Sequence, residues 1–216
     1  MFQKLRRPSH FSQRPRRIPR QPRGRRRVTQ LLDAAAAVIA SVGYDAATMS
    51  AIATKAGAPI GSLYQFFPNK VAITHALQTE YGKHYEAKLT ALEAEARDLR
   101  LEEVVGRLIH LTADFVESHP AFLALMGALG NTRSPLSLRR RLRSRLAGCF
   151  HAVSPRIGRG KPALLAAVAL QLLKGMSHLF AEAPARQRRQ LVREYQVVLH
   201  GYLAERLKSD RKGRQQ

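Results

Sequence analysis

Residues 48–70 read TMSAIATKAGAPIGSLYQFFPNK, and their punctuation decides how the rest of the chain is read. Thr48 is a helix N-cap, its hydroxyl suited to accept from one of the first free backbone N–H groups, and Ile52, Ala53 and Ala56 then recur on one face. Gly57 ends that helix, because glycine enters the left-handed region without a Cβ penalty. Pro59 pushes Ala58 away from helical angles and suits the first turn of a following helix. A second helix over roughly residues 60–67 points Leu63, Phe66 and Phe67 inward and leaves Ile60, Gly61, Ser62, Tyr64 and Gln65 outward. The absence of a side chain at Gly61 lets the backbone come close to another surface. Two short helices across a sharp corner make a helix-turn-helix.

Working outward, residues 25–42 form a supporting helix whose apolar positions, Val28, Leu31, Leu32, Ala35, Val38, Ile39 and Val42, step by three and four; Gly43 stops it. On the other side Asn69 caps a long helix with an i, i+4 stripe of Ile73, Leu77, Tyr81, Tyr85 and Leu89, linking the helix-turn-helix to the C-terminal two thirds of the chain. From Leu101 on, helical periodicity continues. Ser118-His119-Pro120 opens a short helix through Leu129, residues 130–135 form a loop, and a helix over 136–153 steps through Leu138, Leu142, Leu146 and Phe150. That helix also carries Arg139, Arg140, Arg141, Arg143 and Arg145, read as a solvated face with anion binding as the sharper alternative. Two long helices close the chain, residues 162–183 with a stripe of Leu164, Val168, Leu172, Met176 and Leu179, and 184–207 with Leu191, Tyr195, Val198 and Tyr202. The expected fold is all-α, with a basic arm at 1–24, a helix-turn-helix domain at 25–70, a helical body at 71–208 and a basic tail at 209–216.

The 216 residues are 45% hydrophobic, ample for a buried core, and their formal charge is +22. Residues 1–27 hold eleven basic residues and no acid; without them 26 basic residues still face 15 acidic ones, a net +11. Nucleic acid is the partner such a balance suggests. Four prolines, Pro8, Pro15, Pro19 and Pro22, dispersed among arginines give the arm a disordered composition that suits lying along phosphates or being a solvated tail. One cysteine, Cys149, excludes an internal disulfide framework and reads as a buried small hydrophobe. The apolar run Ala163–Leu173 is too short to span a bilayer, and no export signal is evident, so no membrane partner and a cytoplasmic location are expected. No HExxH, CxxC, GxSxG or P-loop pattern supports an enzyme, and no cofactor or metal is expected. His110 and Asp114 share a helix face at i, i+4, and Gln171, Lys174 and His178 are polar groups in an apolar helix.

The 48–70 stretch resembles the signature of the TetR family of transcriptional regulators. Thr48, Ile52, Ala53, Ala56, Gly57, Gly61, Ser62, Leu63, Tyr64, Phe66, Phe67 and Lys70 all fit its pattern. Two positions depart from it: Pro59 stands where the family often has a Ser or Thr cap, and Ile60 where many members carry a polar base-reader. An apolar contact with a thymine methyl suits Ile60. The resemblance implies a homodimeric repressor, paired through its last two helices and released from a near-palindromic double-stranded operator by a small-molecule effector. A non-specific nucleic-acid-compacting protein is the alternative. The implied DNA-binding residues are Thr48, Met49, Ser50, Ile60, Gly61, Ser62, Tyr64, Gln65 and Lys70. Tyr81, Tyr85, His110, Asp114, Gln171 and His178 are the candidates for an effector pocket.

Overall fold

The computed structural model describes residues 22–128, 136–155, 157 and 160–212, and every regular element among them is helical. The arm up to residue 21, the loop expected at 130–135 and the end of the tail lie outside the described residues. Helix α1, Pro22–Ala46, begins three residues before the expected start, with proline in its first turn where a missing N–H costs nothing. Gly43, at φ 79° and ψ 168°, breaks its regular path where the sequence predicted a stop. Val42, beside that break, is exposed and does not join the core face.

Helix α2, Met49–Lys55, starts with the Ala51 N–H donating to Thr48 Oγ1 at 3.1 Å. Gly57 takes φ 57°, and the chain re-enters helix α3, Ile60–Phe66, through Pro59. Helix α4, Lys70–Glu95, is capped by Asn69, whose Oδ1 accepts from the Ala72 N–H at 2.8 Å. Leu31, Ala35 and Ile39 of α1, Ile52 of α2, Leu63 of α3, and Phe67 and Ile73 around the start of α4 are all buried and form the core of this N-terminal head.

Helix α4 leaves the head and enters a body made of α5 (Leu101–Ser118), α6 (Ala121–Ala128), α7 (Leu136–Val153), α8 (Lys161–Glu182) and α9 (Ala185–Lys212). All five stripe residues of α4 are buried. α7 runs alongside α4 in the same direction, because contacts advance together along both. Leu138 occupies the notch that the missing Cβ of Gly82 leaves, Arg141 Nε meets Glu86 at 2.8 Å, and Arg145 meets Glu93 at 3.1 Å. Short α6 packs on α1, so the body touches the head at a second place besides α4.

The last two helices bury faces that match the named sequence stripes only in part: Met176 is buried, and Leu172, Tyr195 and Tyr202 pack half-buried on the core. In α8 the core side is Leu165, Ala169, Leu173, Met176 and Phe180, while Leu164 and Leu179 are 65% and 48% exposed. In α9 Val192, Leu199 and Leu203 are buried, and Val197 and Val198 are 69% and 50% exposed. In α8, rich in apolar residues, more than one stripe fits helical spacing, and periodicity alone does not choose among them; in α9 the adjoining Val197 and Val198 fall on the side away from Leu199 and Leu203. The bilayer estimate is also revised: α8 taken whole, 22 residues, is long and apolar enough to cross a membrane. Its buried side packs against α5, α7 and α9, and the exposed Lys174 interrupts its outer side.

Candidate DNA-binding face and effector cavity

The corner between α2 and α3 presents a coherent outward surface. Ser50, Ile60, Gly61, Tyr64 and Gln65 are exposed, Ser62 is half-buried, and a Cβ placed on Gly61 would meet nothing within 4 Å. A seven-residue helix stays in place here because Leu63 and Phe67 anchor its inner side. Thr48 is exposed, and its hydroxyl accepts from Ala51 while still carrying its own hydrogen. Two residues sit differently from the sequence expectation. Met49 is half-buried and packs against the core, since the first turn of α2 turns its side chain under the head. Lys70 turns inward: its Nζ donates to the carbonyls of Tyr44 at 2.9 Å and Asp45 at 3.0 Å and lies 4.5 Å from the Tyr44 ring centroid. Those carbonyls lie in the last turn of α1 beyond the Gly43 break, where a helix end favours a cation.

In the body a cavity of about 320 Å³ opens between α4, α5, α6, α7 and α8. Of the candidates, Tyr81, Tyr85, Gln171 and His178 line it. His110 and Asp114 do not. Both are exposed on the far side of α5, whose inner face is taken by Leu108, Thr112, Phe115 and Val116. No cluster of His, Cys, Asp or Glu among the described residues is arranged to hold a metal ion.

The deep wall is aromatic. Tyr85 and Phe115 meet edge-on with centroids 5.0 Å apart, and His119 stacks on Phe115 at 4.1 Å. Tyr85 Oη lies 2.9 Å from Thr112 Oγ1, and Thr112 donates its one hydrogen to the Leu108 carbonyl, so the phenol is the donor of the pair. Burial pushes the Tyr85 phenol up to about 12. Tyr81 is also raised, mainly by burial and further by the Asp33 carboxylate, which belongs to α1. Cys149, raised to about 12 by burial and by Glu93, is an inert core thiol.

The mouth is polar and basic. Arg139, Arg141, Gln171 and Lys174 line it and are exposed. Arg139 and Arg141 were expected as part of a solvated face, with anion binding as the sharper alternative, and not as lining of this cavity. What brings them to the cavity is the seating of α7 on α4 at Gly82, a contact between distant segments that no local pattern announces. α6 joins cavity and head: Phe122, Leu123 and Leu125 line the space, the Leu125 carbonyl accepts from Gln78 Nε2 at 2.9 Å, and the helix packs on α1.

Known proteins share both halves. Residues 31–77 match the family described as bacterial regulatory proteins, tetR family, and residues 101–203 match the tetracyclin repressor-like C-terminal domain. The HTH-type transcriptional repressor KstR of Mycolicibacterium smegmatis is 37% identical over 89 residues, 39% of this chain and 42% of that protein. The match therefore spans about two fifths of the curated relative. Among solved structures, a TetR-family regulator of Mesorhizobium loti has a TM-score of 0.66 at 24% identity, covering 85% of this chain and 98% of that one. One from Streptomyces coelicolor has 0.64 at 24% identity, covering 83% and 98%. With the capped helix-turn-helix inside one matched region and most of the body inside the other, the chain belongs to the TetR family of bacterial regulatory proteins.

Proposed function

We propose that this protein is a sequence-specific transcriptional repressor that binds a near-palindromic operator as a homodimer and leaves it when a small molecule fills the cavity. The observation that carries this reading is the joining of an outward helix-turn-helix face to a cavity in the body through two elements, α4 and α6. Ile60, Tyr64 and Gln65 read base edges, and Thr48, Ser50 and Ser62 reach the phosphates beside them. Repression is supported by a relative that is itself a transcriptional repressor. Pairing through α8 and α9 accounts for Leu164, Leu179, Val197 and Val198, large apolar side chains left in water by a single chain. A bacterial protein that acts on operator DNA works in the cytoplasm.

Two recognition helices must stand about 34–36 Å apart to enter successive major grooves, so a shift of the heads lowers affinity with every base contact intact. An effector that prefers the shifted state about 100-fold supplies roughly 2.7 kcal/mol, and DNA weakens effector binding by the same factor. The test is selection of bound fragments from random DNA, followed by footprinting. A protected near-palindrome supports the repressor. Uniform, salt-sensitive binding without a preferred site favours the alternative, a compacting protein driven by the +22 charge. In the same assay Val198→Glu gives folded monomers that bind the selected site poorly; tight binding by a monomer removes the pairing through α9.

A further inference from the structure

We infer that the cavity takes an amphiphile with one anionic head, of the class of a medium-chain carboxylate, its hydrocarbon tail against Tyr81, Tyr85 and Phe115 and its head at Arg139 and Lys174. This deepens the effector reading above and rests on it for any consequence on DNA, but not for binding itself.

At the inner end of the cavity the hydroxyls of Tyr85, Thr112 and Ser177 are already engaged within the protein. Tyr85 donates to Thr112, Thr112 donates to Leu108, and Ser177 donates to the Leu173 carbonyl at 2.8 Å. Among the described residues no buried side-chain nitrogen or oxygen lacks a hydrogen-bond partner. A ligand bearing hydroxyls or amides at that end loses their water without replacement, whereas hydrocarbon loses nothing and gains burial. At about 30 Å³ for each methylene-sized group, 320 Å³ accommodates on the order of ten carbons.

The outer end has the opposite character. Among the described residues three cationic side chains line the mouth and no carboxylate does. Arg141 is taken by Glu86, whereas Arg139 and Lys174 make no ion pair or side-chain hydrogen bond among the described residues. Both are exposed, so their alignment on a head group needs no prior desolvation of a buried charge. The seating of Leu138 at Gly82 fixes the start of α7 and with it the next residue, Arg139, while Lys174 arrives from α8 one turn before His178. A cationic ligand meets repulsion at this mouth, and a neutral one leaves the two charges unused.

The test is calorimetric titration of the full chain, below the micelle threshold, with decanoate, decan-1-ol, decyltrimethylammonium and acetate. Decanoate is expected to bind once per chain, decanol about tenfold more weakly, and the ammonium and acetate not measurably. The double variant Arg139→Glu with Lys174→Glu, at two exposed positions that leave the core intact, loses decanoate by at least about tenfold and keeps decanol, and Lys174→Arg retains decanoate. Decanol or the ammonium binding as tightly as decanoate overturns the assignment, as does decanoate binding untouched by the double charge reversal. A separate measurement adds decanoate to the protein on its selected operator. Binding with the expected head and tail dependence but no release supports the ligand class and defeats the release mechanism. Release by decanol and decanoate alike supports release and defeats the anionic head.

Discussion

The head and the body are both helical, but they are held by different means. Helices α2 and α3 have seven residues each, too few to persist alone in water, so the head is fixed point by point: Thr48 caps α2, Gly57 turns the chain between α2 and α3, Asn69 caps α4, and the Lys70 amine ties α4 to the end of α1. The body uses helices of 18 to 28 residues in α5, α7, α8 and α9, stabilised by apolar faces along their length. Short elements depend on their termini, and long ones on the choice of face. A surface left exposed in the head is set by a turn, whereas one left exposed in the body depends on which of several apolar stripes the neighbours took.

The sharpest way to break this contrast is to remove a large side chain from the small core of the head. Phe67→Ala, at 1% exposure, is expected to cost about 3–5 kcal/mol in urea unfolding. Leu179→Ala, on the outward face of α8, is expected to stay within about 0.5 kcal/mol at low protein concentration and to cost more as concentration rises. A large, concentration-independent loss at Leu179 places that face in the core of a single chain. Next in size, Lys70→Met leaves the Tyr44 and Asp45 carbonyls without their cation and should cost about 1–3 kcal/mol, with amide exchange accelerated around α1's end. Thr48→Ala should cost about 1 kcal/mol, and Thr48→Ser close to nothing, by the same unfolding assay.

The smallest effect tests the cap at the start of α5 in the body. The Arg100 N–H donates to the Glu103 carboxylate at 2.8 Å, and this bond, with the Arg100 side chain, holds that carboxyl below its ordinary value of 4.5. A carboxyl depressed in the folded state stabilises above its unfolded value and loses that contribution as pH falls through the folded one. Glu103→Gln should therefore flatten the acid limb of the stability profile slightly and leave its slope near pH 9 unchanged.

The unequal legibility of the two regions comes from the same contrast. The caps at Thr48 and Asn69, the left-handed Gly57 and the break at Gly43 are local events, decided by residues within four positions, and the sequence shows them directly. The stripe of α4 was legible because polar residues flank it. In α8 the few polar residues, Gln171, Lys174 and His178, do not mark off one apolar face, and Leu165, Leu173 and Phe180 are as apolar as Leu164, Leu172 and Leu179. Tyr81 and Tyr85 were visible as cavity candidates, since a phenol on a buried stripe needs a partner or a space. Arg139 was not, because its place depends on a glycine 57 positions earlier in the chain. The His110 and Asp114 pair misled for the converse reason, as i, i+4 spacing shows that two residues share a face without showing which way it looks.

The grip of Lys70 on the carbonyls beyond Gly43 has a mechanical consequence. Those bonds clamp the first residue of α4 to the far end of α1, so the head turns with α4 as the bit turns with its brace. From Gly82 at the cavity to Lys70 the shaft is roughly 18 Å long, and a tilt of about 5° about the cavity end swings the clamped end by roughly 1.6 Å. Were α1 free to slide over α4, the head would absorb that swing as slack. With the clamp closed, any swing of α4 would carry the head with it.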